Sequence, residues 1–160
     1  YSTGLFNRGF IEETFKRLLK TAMREQSPIG LVMMDIDRFG YFTENYGHGA
    51  ASAVLRDLGD FLTGYLGKDD LACRYGADEF LLVLPGHTLA ASQKRAENIR
   101  ALIKERGSYE EHRQIKRITL SIGVAAYPDH GTTADDLIQS VKNALKLAKD
   151  AGRDRIVVGE

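Results

Sequence analysis

LACRYGADEFLLVL, residues 71–84, contains two strand-like runs, Leu71 to Tyr75 and Phe80 to Leu84, flanking Gly76, Ala77, Asp78 and Glu79. A span that short predicts a hairpin. On its N-terminal side, Ala51, Val54, Leu55, Leu58, Phe61 and Leu62 form the apolar stripe of a helix, which Gly64 to Asp70 breaks. Before that helix, Ile29 to Met34 is a continuous apolar run closing on Asp35, as expected of a central strand buried on both sides. On the C-terminal side, Leu89, Ala96, Ile99 and Ile103 place a further helix, and Ile118 to Ala126 reads as a long strand. The order is strand, helix, strand, strand, helix, strand. It predicts an α/β (α+β) sandwich with a ferredoxin-like βαββαβ core and an antiparallel sheet. Ile11, Phe15, Leu18, Leu19 and Ala22 add a helix in front, ending near Pro28 and Gly30; Leu137, Val141, Ala144, Leu145 and Ala148, then Ile156 to Val158, add a helix and a strand behind.

The chain has 160 residues, 43% of them hydrophobic and 28% charged, which suits one domain over residues 1–160 and excludes a disordered or fibrous chain. Its 22 basic residues balance 22 acidic ones, so no global field holds nucleic acid or an anionic membrane. No apolar run approaches the roughly 18 residues that span a bilayer, no signal-peptide pattern opens the sequence, and Cys73 has no partner for an internal disulfide. A cytoplasmic setting is the expectation. The abrupt start at Tyr1 and the stop at Glu160 after a strand-like run lead us to expect a module of a larger multidomain signalling protein.

The most informative local feature is a strand that ends in acid: Met33, Met34, Asp35, Ile36, Asp37. Carboxylates at the tip of a buried strand suit Mg²⁺, which takes one or two carboxylates and leaves other positions to water and phosphate. If the first and third strands are neighbours, Asp35 meets Asp78 and Glu79 at one sheet end, and three converging carboxylates call for a cation. The same acids are equally readable as solvated strand ends and turn formers. Lys149, Gly152 and Arg153 offer cations for phosphate at a helix end, with Gly152 as the cap that turns Arg153 back; such residues also simply answer the helix dipole. Cys73 reads as a small buried hydrophobe. His48, His87, His112 and His130 lack metal-ligand spacing, and the basic run from Arg113 to Arg117 reads as a solvated strand edge.

Several motifs align with one family. Thr3, Gly4, Leu5, Asn7 and Arg8; Asp35, Ile36, Asp37 and Phe39; Gly47 and His48; Arg74 to Phe80; Ser121, Ile122 and Gly123; and Ala148, Lys149, Gly152 and Arg153 occur in order. Over nearly its full length the chain resembles a GGDEF domain, the diguanylate cyclase family of bacterial cyclic di-GMP signalling, with the signature altered to Gly-Ala-Asp-Glu-Phe. The resemblance implies that Asp35, the Ile36 carbonyl and Asp78 hold Mg²⁺ (or Mn²⁺), with Glu79 assisting at the signature turn of Gly76 and Ala77. It implies that Lys149 and Arg153, with backbone amides of Asp37, Arg38, Phe39 and Gly40, take the phosphates of GTP, and that His48 braces its loop. Two domains would then face each other as a homodimer through their substrate-binding faces.

The departures from the family pattern carry their own implications. The positions that read guanine are Thr43 and Ser52, and a hydroxyl makes fewer bonds to a base edge than a carboxylate, which puts guanine selectivity in question and admits other nucleoside triphosphates. Members with Ser at the second position include enzymes that make a hybrid cyclic GMP-AMP. Gly40 replaces a phosphate-binding Lys, and Ala77 replaces a Gly, with a backbone penalty if that position needs positive φ. The product-inhibition motif reads Gly67, Lys68, Asp69, Asp70: the Arg is absent, so no inhibitory site is expected. Besides a purely structural interaction module, which the retained Asp35, Asp78, Lys149 and Arg153 argue against, two functions follow. One is a cyclase of weak or relaxed-specificity activity; the other is a degenerate domain that binds GTP or dimerises to regulate a fused EAL phosphodiesterase, with sensor domains also expected in the parent protein.

Overall fold

The computed structural model describes residues 5–106, 108–110, 113–116 and 118–160. The motif residues Thr3 and Gly4, together with His112 and Arg117, lie outside the described residues. The order is α1 (Arg8–Glu25), β1 (Ile29–Ile36), α2 (Phe39–Tyr65), β2 (Leu71–Arg74), β3 (Glu79–Pro85), α3 (Leu89–Arg106), β4 (Ser108–Glu110), β5 (Arg113–Lys116), β6 (Leu120–Tyr127), α4 (Ala134–Asp150) and β7 (Arg155–Val158). The main sheet runs β2-β3-β1-β6-β7, with β1 at its centre and buried at every residue. The β2–β3 hairpin forms where the sequence placed it.

Two features refine the expected sandwich. Alternate residues of β1 face opposite layers: Val32, Met34 and Ile36 pack with α2 and α3, while Ile29, Leu31 and Met33 pack with α1 and α4. The helices outside the βαββαβ unit thus cover its otherwise open face, making three layers. The sheet is antiparallel except at β7, which runs parallel to β6 because α4 carries the chain back between them. The short β4–β5 ladder adds a second sheet, and its second strand falls in the basic run read as a strand edge.

Local chemistry explains how elements approach the β1 tip. The Asn7 side chain caps α1 by accepting from the Phe10 amide at 2.9 Å, and the adjoining segment pairs with β2 through Phe6 N–H to Ala72 O and Arg74 N–H to Phe6 O, both 3.3 Å. A Cβ on Gly123 would stand 2.5 Å from both the Leu145 nitrogen and the Val141 oxygen, so glycine there lets α4 lie directly on the sheet. Cys73 is fully buried and burial pushes its thiol up to about 12, in keeping with a packing role.

Candidate functional site

The β1–β3 register sets Asp35 directly opposite Glu79, and the Ile36 amide donates to the Asp78 carbonyl at 3.2 Å. Strand end and hairpin tip therefore meet, as the topology required. Asp35 is 7% exposed, and its Oδ1 is buried without a hydrogen-bond partner. Its Oδ2 pairs with the Lys149 ammonium of α4. Burial, with neighbouring Asp78, pushes the Asp35 carboxyl up to about 7 against the opposing pull of Lys149. The Lys149 ammonium is in turn held up, against its own burial, by Asp35. Lys149, expected at the phosphates, is engaged here because a buried carboxylate draws the nearest cation.

An orphaned buried carboxylate oxygen, a second carboxylate within reach and the end of a strand fit a divalent cation that fills its remaining positions with water and phosphate oxygens. They do not form a closed site. Among the described residues no three His, Cys, Asp or Glu side chains gather in metal-holding geometry. The expectation of three converging carboxylates is thus corrected: Glu79 turns over the signature, its Oε1 2.8 Å from where a Cβ on Gly76 would sit. Ala77 has no positive φ, so the feared backbone penalty is not incurred; Arg74 Nε donates to its carbonyl at 3.0 Å. Tyr75 is braced from α1, donating to Glu12 Oε1 at 3.1 Å beneath the Arg8 guanidinium, 4.2 Å from the ring centroid.

Asp37 behaves differently from Asp35. Its carboxylate accepts from Thr119 Oγ1 at 2.7 Å, Ser121 Oγ at 2.5 Å and the Asp154 amide at 3.0 Å. Its own amide donates to Thr119 O at 2.9 Å. The expected amide cradle therefore loses its first member and begins at Arg38, the left-handed residue that caps α2 at its N-terminus. Arg38 and Arg153, with Asp37, Phe42, Thr119 and Gly152, line a cleft of about 260 Å³. Among the described residues neither guanidinium, of Arg38 or of Arg153, has a hydrogen-bond or ion-pair partner.

Arg153 reaches that cleft through the end of α4. Gly152 N–H donates to Lys149 O at 3.3 Å and Arg153 N–H to Ala148 O at 3.0 Å, the paired bonds of a glycine-terminated helix. Gly152, with φ 123°, is the cap the sequence indicated. Asp154 follows, with Oδ1 receiving Arg100 Nη1 at 2.7 Å and Oδ2 receiving Lys104 Nζ at 2.6 Å. Burial opposes it, yet Lys104 and Arg100 hold the Asp154 carboxyl below the usual range. No sequence signal pointed to Asp154, Arg100 or Lys104, because α3 meets the segment only in three dimensions.

The remaining expected residues fall at the start and middle of α2. Phe39 and Gly40 lie in its first turn; Thr43 donates its hydroxyl to Phe39 O at 2.9 Å, and Ser52 is half-buried farther along, past the kink at Gly47. His48 is exposed and makes no hydrogen bond among the described residues, so it does not brace the loop. At the degenerate inhibition motif, Asp70 is occupied from within: it accepts from the Gly67 amide at 2.9 Å and pairs with Arg95 of α3 at 3.2 Å. Arg95 was invisible to a local motif reading.

A βαββαβ sheet flanked by helices on both faces, with paired carboxylates at the hairpin end of its central strand, defines a domain of the nucleotide-cyclase type. Residues 1–155 match the family described as "Diguanylate cyclase, GGDEF domain", and the chain belongs to it. It is 32% identical over 156 residues to the response regulator PleD of Caulobacter vibrioides and 30% identical over 154 residues to the diguanylate cyclase DosC of Escherichia coli, covering 97% and 96% of this chain. It spans about a third of the length of these curated relatives, 34% and 33%. Among solved structures, the GGDEF domain of YfiN (TpbB) from Pseudomonas aeruginosa superposes with a TM-score of 0.94 at 30% identity, covering 99% of this chain and 92% of that one. The GGDEF domain of DgcB from Caulobacter crescentus, in complex with c-di-GMP, gives 0.91 at 25%, covering 99% and 90%. Family members use a divalent metal, consistent with the Asp35 site. No helix among the described residues is long and apolar enough to cross a membrane.

Proposed function

We propose that this domain binds a nucleoside triphosphate with Mg²⁺ or Mn²⁺ and, when two copies face each other as a homodimer, joins two GTP molecules into cyclic di-GMP weakly and with relaxed base selectivity. The observation that carries this is the pair of guanidiniums unpartnered among the described residues, Arg38 and Arg153, lining one cleft with Asp37, which follows by two residues Asp35 and its orphaned carboxylate oxygen. Asp35, the Ile36 carbonyl and Asp78 would hold the cation, whose chemistry is to polarise the α-phosphate and promote ionisation of the attacking 3′-hydroxyl. Were a cation to take its place at Asp35, Lys149 would be free to turn toward the terminal phosphates, where Arg153 and Arg38 would add charge-assisted bonds. Glu79, folded over Gly76, shapes the hairpin tip beside the reacting groups. The 3′-oxygen attacks phosphorus and pyrophosphate leaves; each half-site supplies one substrate, so activity requires an upstream element that pairs two domains.

A second reading is favoured by one observation: Thr43 already spends its hydroxyl proton on Phe39 O. With Ser52 as the other base-facing residue, guanine is held loosely, which suits a domain that binds GTP, or dimerises, to regulate a fused EAL phosphodiesterase in a cytoplasmic signalling protein. The two are separated by incubating a dimerised protein with GTP, ATP and Mg²⁺ and resolving the products. A cyclic dinucleotide that vanishes in Asp78→Ala supports the cyclase; a Mg²⁺-dependent rise in melting temperature without product supports the regulator. Neither product nor thermal shift at millimolar nucleotide would refute the cyclase and the GTP-binding regulator alike, leaving only a dimerising module. Thr43→Asn with Ser52→Asp should raise preference for GTP over ATP by about 1–3 kcal/mol per restored contact; unchanged selectivity would show that the base is read elsewhere.

A further inference from the structure

Gly152, Arg153 and Asp154 carry φ of 123°, 66° and 47°, three consecutive positive values of which only the first belongs to a glycine. Left-handed non-glycine residues persist only where their surroundings over-determine them, and they gather where a backbone must aim something. Here both sides of Arg153 are tied. Its amide is bonded to Ala148 O, its carbonyl accepts from Arg155 Nε at 3.0 Å, and the next amide, that of Asp154, is held by Asp37. The Asp154 carboxylate is then gripped at both oxygens from α3, by Arg100 and Lys104. Arg100 is itself steadied by Glu97, at 2.6 Å and 3.2 Å. The amide and carbonyl of Arg153 and the amide and carboxylate of Asp154 are all engaged, while among the described residues the Arg153 guanidinium stays free in the cleft.

The geometry points to Asp154, clamped by Arg100 and Lys104 and tied to Asp37, as the positioning residue that holds Arg153 ready for the terminal phosphates of the nucleotide. Asp154 touches no substrate; it acts through the Arg153 backbone. This inference rests on the nucleotide-binding reading above. It also places the last two turns of α3, a helix with no assigned part in the site, in energetic contact with phosphate binding. Asp37, on the opposite side of the same turn, serves the same purpose with its side chain rather than binding phosphate with its amide.

The test is a double-mutant cycle read by calorimetric titration with a non-hydrolysable GTP analogue and Mg²⁺. Arg153→Ala should weaken binding about tenfold, the worth of one charge-assisted contact, and Asp154→Ala by a similar factor. The double variant should lose no more than either alone, because both remove one interaction. Asp154→Gly, which relieves backbone strain but removes the clamp, should bind as poorly as Asp154→Ala; Asp154→Asn, which keeps the left-handed preference and one acceptor, should recover part of the loss. If Asp154→Ala does not fold, Arg100→Ala with Lys104→Ala on the α3 surface carries the same expectation. Wild-type binding with an unchanged Asp154→Ala, multiplicative losses in the double variant, or full recovery in Asp154→Gly overturns the positioning role alone. No analogue binding by the wild type overturns the nucleotide-site reading and this inference with it.

Discussion

Asp35 and Asp37 stand two residues apart at one strand end, yet they are opposites. Asp35 is buried with one oxygen unpartnered and its carboxyl pushed up to about 7 by burial and Asp78. Asp37 has both oxygens filled by Thr119, Ser121 and the Asp154 amide. Satisfied polar groups hold a fold together, and an unsatisfied buried one is a cost the fold carries for another reason. Under the proposed function Asp35 would be the ligand of a cation, whereas Asp37 is a tie beam between β1, β6 and the turn after α4.

That contrast breaks most readily at Asp37. Asp37→Ala leaves two hydroxyls and a backbone amide without their acceptor, and the loss of these charge-assisted bonds should destabilise the domain by about 3–5 kcal/mol. For a chain of this size the melting temperature should fall by roughly 2–4 °C per kcal/mol. Thermal denaturation in EDTA checks it without any nucleotide. A fall of only a degree or two would mean that Asp37 is not a structural tie and would return it to the list of ligand-binding candidates.

The sequence alone does not separate the two aspartates. The apolar run from Ile29 to Met34 placed both at a strand end, and the hairpin at Gly76 to Glu79 placed Asp78 beside them, because hydrophobic period and turn length report directly on sheet topology. Gly152 was legible for the same reason, as a helix cap is a local event. What was not legible depends on contacts between distant segments. Arg100 and Lys104 reach Asp154 across some fifty positions, Arg95 of the same helix α3 reaches Asp70, and Thr119 and Ser121 meet Asp37 from the residue before β6 and from its start. Lys149 was placed correctly in chain position but paired with Asp35, since its partner is set by which carboxylate is buried and unfilled.

Acidity should sharpen the comparison next. A carboxyl whose folded value lies near 7, against an ordinary 3.8, keeps its proton in the native state after the unfolded chain has released it. The native state then binds more protons between about pH 4 and 7, so Asp35's contribution to stability is complete below pH 4 and declines as pH rises through 7. Metal-free protein should therefore lose roughly 2–3 kcal/mol between pH 5 and 8 from this group. Chemical denaturation along that pH series measures it. Adding Mg²⁺ should flatten the decline, since a cation holds the carboxylate ionised in the folded state; a decline indifferent to Mg²⁺ would argue against a cation at Asp35.

The smallest effect is expected where sequence reasoning would place the largest. At pH 5, where Asp35 holds its proton, Asp35→Asn replaces one neutral group with another of similar shape, and stability should change by less than about 1 kcal/mol. At pH 8 the same substitution should equal or exceed the wild type in metal-free buffer, because the buried charge has gone and half-exposed Lys149 can turn to solvent. What it should remove is the response to Mg²⁺, in the melting temperature with nucleotide and in the slope of stability against pH. Set beside Asp37→Ala, the variant separates two kinds of carboxylate by sign: loss of the tie beam lowers stability at every pH, whereas loss of the ligand spares the fold and abolishes the metal response. An Asp35→Asn protein as unstable as Asp37→Ala, or one that keeps its Mg²⁺ response, would erase the distinction and move the metal site away from the end of β1.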